Sequence, residues 1–153
     1  MSSRPTLRRT AWHEAGHAVV AVDQGFRPTL VSIRRESEDF GRSRHTPAGD
    51  CSIPSERERE NIVAMGGWAA ELASGEADDG VTYDSGDMQC LLSRIDQHAP
   101  SRVAIELGWA EQRAEQIIAA NRDAVERLAN ELLKRGELTD SVEIVAIIKG
   151  TQT

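Results

Sequence analysis

The sequence predicts a mainly α-helical domain carrying a small β-hairpin or sheet, and three observations lead to that class. Apolar residues recur at three- and four-residue spacing along much of the chain, as in Met88, Leu91, Leu92 and Ile95, which is the period of an amphipathic helix. Proline and glycine stand where such helices should start and stop, at Pro5, Gly25, Pro54, Gly75, Pro100 and Gly136. By contrast, Leu30-Val31-Ser32-Ile33 alternates like a strand. The 153 residues, 39% apolar and 28% charged, suffice for one domain with its own core, so residues 1–153 read as a single unit.

The first helix is expected from Thr6 to about Gly25, with Trp12 as a packing residue. Strand Leu30–Ile33 follows, and Gly41 to Thr46 can return beside it, leaving the charged run Arg34 to Asp39 as a solvated turn. His45 has no partner at ligand spacing and is placed on the surface. A second helix is expected from about Glu56 to Ser74. Gly66 and Gly67 fall inside it, each costing about 1 kcal/mol relative to alanine, and close packing on the small-sided first helix is the usual compensation. An acidic loop, Ala77 to Ser85, leads to a third helix from Ser85 or Gly86 to about Ala99. A short segment through Leu107 then precedes the longest helix, Ala110 to Arg135, with Ile117, Ala120, Ala124, Leu128 and Leu132 in register. A last short helix covers Ser141 to Lys149.

Composition excludes several function classes. The net charge of −7 and the absence of a Lys/Arg stripe interleaved with aromatics argue against a nucleic-acid binder. No stretch approaches the roughly 20 apolar residues of a membrane helix, and Met1 to Arg9 lacks the features of a signal peptide. The expected location is therefore the cytoplasm. Cys51 and Cys90 lack C-x-x-C spacing and are expected as reduced thiols, Cys51 in a loop and Cys90 in the core of its helix.

The chemistry lies in His13-Glu14-Ala15-Gly16-His17, an H-E-x-x-H sequence inside the first helix. Residues four apart on a helix share a face, with Cβ atoms roughly 5–6 Å apart, so both imidazoles can converge on one zinc ion. Glu14 can lean over the open side of that ion and serve as a base. Ala15, Gly16, Ala18, Val19, Val20, Ala21 and Val22 make the helix apolar and small-sided, hence buried. Two histidines and a glutamate there cost free energy unless a metal or a partner satisfies them. Zinc peptidases use three protein ligands and an open fourth position. A ligand at position 23 is rejected, because Val20 stands where the helix would have to break and Asp23 turns to another face. Glu71 and Asp87 both remain as candidates for the third ligand.

Three motifs in order resemble the peptidase domain of the FtsH family of AAA+ zinc proteases. They are Thr10 to Val20 around H-E-A-G-H, Gly66 to Leu72 with Gly75-Glu76, and Thr82-Tyr83-Asp84-Ser85-Gly86-Asp87-Met88. The stretch from Ala114 to Ile148 is similar to that domain's closing helices. The resemblance implies a helical zincin-like metallopeptidase fold in which His13, His17 and Asp87 bind Zn2+ and Glu14 is the catalytic base. It makes Glu71 an acid near the site that orients a histidine. The implied activity is endopeptidase cleavage of flexible or unfolded polypeptides.

The chain departs from the family pattern at Tyr83 and Asp84, where small residues are usual, and at Trp68, where arginine is usual; both narrow the approach to the metal. No G-x-x-x-x-G-K-[S/T] sequence is present. The expectation is therefore a stand-alone peptidase without an ATPase module, independent of ATP on its own, with a homo-oligomer and a separate ATPase partner left open. A catalytically silent module of the same fold, used for binding or assembly, is the alternative.

Overall fold

The computed structural model describes residues 6–35, 41–75 and 86–151. The acidic loop Ala77–Ser85, Glu76, and the end of the Arg34–Asp39 turn lie outside the described residues. Helix α1 spans Leu7–Asp23, β1 Arg27–Ser32, β2 Arg42–Thr46 and α2 Pro54–Ala73. They are followed by α3, Gly86–His98, and after a 3-10 turn at Pro100–Arg102 by α4, Val103–Ala120. Helix α5, Arg122–Arg135, strand β3, Glu137–Leu138, and α6, Ser141–Lys149, complete the chain. The class is mainly helical, as expected, with a three-stranded antiparallel sheet in the order β2-β1-β3.

Helix α1 is the central element. Thr6 caps it by accepting a hydrogen bond from the Arg9 amide, and Gly25 beyond its end takes φ +87°, a conformation that side chains disfavour. Ala11, Trp12, Ala15, Ala18, Val19, Val20 and Ala21 are all buried, so this helix is covered on most of its circumference by α2, α5 and β1. The expected glycine packing is present. A Cβ on Gly16 would lie 2.4 Å from the Gly66 carbonyl oxygen, and one on Gly66 would lie 2.8 Å from that of Gly16. The two helices therefore cross backbone to backbone.

Helix α2 is tied to α4 by ions. The Arg57 guanidinium donates to Glu106 twice, Nε to Oε1 at 2.8 Å and Nη2 to Oε2 at 3.0 Å, and Arg102 Nε adds a third bond to Oε2 at 3.0 Å. Helix α5 holds the end of α6, where Arg127 donates to the carbonyls of Ile147 and Ile148. Asp140 caps the start of α6 through the amides of Val142 and Glu143.

Several expectations are corrected. The single helix Ala110–Arg135 is two helices, and the first begins at Val103. Asn121 divides them: its side-chain amide donates to the Ile117 carbonyl at 2.8 Å, competing with the backbone for the helix end. Beyond it the chain changes partners, α4 packing on α2 and α5 on α1. Cys90 is exposed, because Met88, Leu91 and Ile95 take the buried face of α3. His45 is half-buried, donating from Nε2 to Glu60 at 2.9 Å and resting against Phe26. Strand β3 has only two residues and carried no alternation to read. No helix among the described residues is long and apolar enough to cross a membrane.

Candidate metal centre

His13 and His17 lie on successive turns of α1, facing α2. Their rings meet edge to face, with centroids 4.7 Å apart and planes at 80°. Each Nδ1 is committed to an acceptor on α2. His17 Nδ1 donates to the Val63 carbonyl at 2.8 Å, and His13 Nδ1 to Glu71 Oε2 at 3.1 Å. A carbonyl only accepts, so His17 carries a proton on Nδ1. His13 faces a carboxylate at each nitrogen, Glu71 at Nδ1 and Asp87 at Nε2, and a neutral ring protonated on Nδ1 turns the Nε2 lone pair toward Asp87 and His17. The two Nε2 atoms are 3.1 Å apart.

Asp87, in the first turn of α3, completes the group. Its Oδ2 lies 2.9 Å from each Nε2. Three potential ligand atoms are thus brought together, and without a metal ion it is protons on the Nε2 atoms, donating to Asp87, that keep them from repelling one another. Among the described residues, His13, His17 and Asp87 are the group of His, Cys, Asp or Glu side chains placed to share a metal ion. Two imidazole nitrogens and a carboxylate oxygen are a zinc donor set, and tetrahedral zinc at about 2.0–2.2 Å spaces its ligands roughly 3.3–3.5 Å apart. The trio fits after opening by a few tenths of an ångström. Gly67 supports the fit, because a Cβ there would lie 2.5 Å from His13 Nε2 and 2.6 Å from His17 Nε2.

The electrostatics have the same origin. Burial disfavours charge on His13, but its hydrogen bonds to Asp87 and Glu71 outweigh that and hold it well above the usual 6.5. His17 is likewise raised, burial being outweighed by the Asp87 carboxylate. Burial alone would raise Asp87; the two histidines, His17 foremost, hold it far below the usual carboxylate range. Glu71 is lowered by His13 and Arg9 against the pull of burial. Glu14 behaves oppositely. It is 6% exposed, and burial raises its carboxyl although His13 and His17 temper the shift. Its side chain is hydrogen-bonded to Ser43 of β2 and packs where β2 begins, as a Cβ on Gly41 would lie 2.8 Å from its Oε2.

All five expected site residues come together: the two histidines and Asp87 at the donor triangle, Glu71 behind His13, and Glu14 within electrostatic reach of all three donors. Trp12 does not line the approach; it is 1% exposed, with the guanidinium groups of Arg8 and Arg122 over its ring at 5.2 and 5.3 Å. Trp68 is half-buried. The residues Thr82 to Ser85 of the third motif lie outside the described residues. Sequence reasoning missed Arg9, whose Nε donates to Glu71 Oε1 at 2.7 Å. The signal was available, since Arg9, His13 and His17 repeat the four-residue spacing that singled out the histidines. Neither protein-family models nor curated protein sequences match the chain.

Proposed function

We propose that the chain is a zinc-dependent endopeptidase acting on flexible or unfolded polypeptides. The observation that carries this reading is the convergence of His13 Nε2, His17 Nε2 and Asp87 Oδ2 at 2.9–3.1 Å, with each Nδ1 turned to a separate acceptor on α2, beside the buried acid Glu14. His13, His17 and Asp87 would hold the zinc, and when bound it would supply a Lewis acid that polarises the scissile carbonyl and acidifies water. Glu14 takes the proton of the attacking water and passes it to the leaving amine. Its raised affinity for protons suits a base that must also act as an acid near neutral pH. Val63 and Glu71 keep the two rings in the tautomer that presents Nε2 to the metal. A peptide must reach the site extended, which a folded domain stable by roughly 5–15 kcal/mol rarely permits unaided. The FtsH resemblance supports the same reading, with a zincin-like arrangement of these helices.

Elemental analysis and a casein assay test this together. The expected result is one zinc per chain and slow, chelator-sensitive, ATP-independent cleavage of casein while a tightly folded protein survives. Glu14→Gln should keep the zinc and lose the cleavage, because an amide cannot take the proton. Protein without zinc whose stability and activity ignore added zinc would refute the metal; full activity in Glu14→Gln would remove Glu14 from the mechanism.

A further inference from the structure

We infer that Arg9 is a positioning residue of this centre, fixing the His13 ring through Glu71; the inference rests on the zinc reading above. The two histidines are oriented by different means. His17 Nδ1 donates to the Val63 carbonyl, a backbone atom within helix α2 that has no rotamer to change. His13 Nδ1 donates to a side chain, the Glu71 carboxylate, which can swivel about its own torsions. Arg9 removes that freedom. It donates from Nε to Glu71 Oε1 at 2.7 Å while His13 occupies Oε2 at 3.1 Å, so each carboxylate oxygen is held by a different donor. Both donors come from α1 and lie one turn apart, which fixes the carboxylate plane relative to the helix that carries the metal ligands. The bonds are sheltered, the Arg9 and Glu71 side chains being 18% and 13% exposed. Arg9 thus does for His13 what the main chain does for His17.

Charge alone predicts the opposite sign. A guanidinium near a bound dication opposes it, so an electrostatic role would make Arg9→Ala tighten zinc, whereas positioning makes the same change weaken it. The experiment is zinc affinity of the full chain, by competition with a chromophoric chelator, for wild type, Arg9→Ala, Arg9→Lys, Glu71→Ala and the two Arg9 variants combined with Glu71→Ala. Arg9→Ala should lose about 10-fold in affinity, the low end of what outer partners of a metal ligand contribute, and Arg9→Lys should recover part of it. In the Glu71→Ala background neither Arg9 change should have a further effect. Wild-type or tighter binding by Arg9→Ala, or an equal loss with and without Glu71, overturns the inference. Should Arg9→Ala not fold, Arg9→Lys carries the same cycle: a loss that vanishes with Glu71→Ala supports positioning, and one that persists overturns it. A wild-type chain that binds no zinc refutes the metal reading itself, a result distinct from zinc binding indifferent to Arg9.

Discussion

On the proposed zinc reading, Gly67→Ala separates the metal centre from the fold. The added methyl carbon would lie 2.5 Å from His13 Nε2, 2.6 Å from His13 Cε1 and 2.6 Å from His17 Nε2. Non-bonded heavy atoms rest about 3.5 Å apart, so both rings must retreat by roughly 1 Å. They cannot do so and keep their Nδ1 bonds to Glu71 and Val63. A misplacement of about 1 Å at such a site typically costs on the order of 100-fold, so zinc affinity should fall by about that factor, roughly 2.7 kcal/mol. The fold responds differently. The clashing atoms are the ends of side chains, and alanine in place of glycine inside a helix is worth up to about 1 kcal/mol. Chelator competition should therefore show the loss of affinity, while in urea unfolding of the metal-free protein the helix gain of up to about 1 kcal/mol offsets part of the two weakened Nδ1 bonds, about 1 kcal/mol each, and leaves a net loss of only about 1 kcal/mol. Gly66→Ala is the contrasting control, since its methyl meets the Gly16 carbonyl at 2.8 Å and must move backbone. Wild-type zinc affinity in Gly67→Ala would refute the argument.

Asp87→Ala should weaken zinc far more than Glu71→Ala, because one removes a donor and the other an outer partner worth about 10–100-fold; a larger loss from Glu71→Ala, by the same competition assay, would reverse their roles. Glu106→Gln should destabilise the protein by about 2 kcal/mol in urea unfolding, less than the 3–5 of a fully enclosed pair because Arg102 opens it to solvent. The same variant tests a pH effect. The Arg57 hydrogen bonds hold Glu106 below its ordinary 4.5, so its contribution is complete above that value and is lost as pH falls through the lowered one. Glu106→Gln should flatten the acid side of the stability profile, and an unchanged acid slope would assign that loss to other carboxylates.

What could be read from the sequence was whatever a local pattern encodes. Thr6, Gly25 and Gly75 mark helix ends by capping and by positive φ, and the four-residue histidine spacing needs no tertiary information. Glu71 and Asp87 stood as rivals because both are acids far along the chain from His13. In the structure they are not rivals at all: they meet opposite nitrogens of the same ring. That outcome depends on how α1 crosses α2, a property of no single segment. Asn121 escaped notice for a similar reason, since the apolar period runs through it unbroken while its side chain bonds back to Ile117 and its backbone, at φ −122°, leaves the helix. His45 was misplaced because its partner, Glu60, sits on the following helix and not at ligand spacing.

The contact of Gly16 with Gly66 has a mechanical consequence. A histidine ring tip stands about 5–6 Å from its helix axis, so turning α1 by only about 5° would sweep both Nε2 atoms through roughly 0.5 Å, the tolerance of a preorganised site. Side chains interposed between helices could yield to such a torque by changing rotamer. Two peptide backbones in direct contact cannot, so the crossing acts as a bearing surface that resists roll, and the angular setting of the two histidine rings is inherited from it.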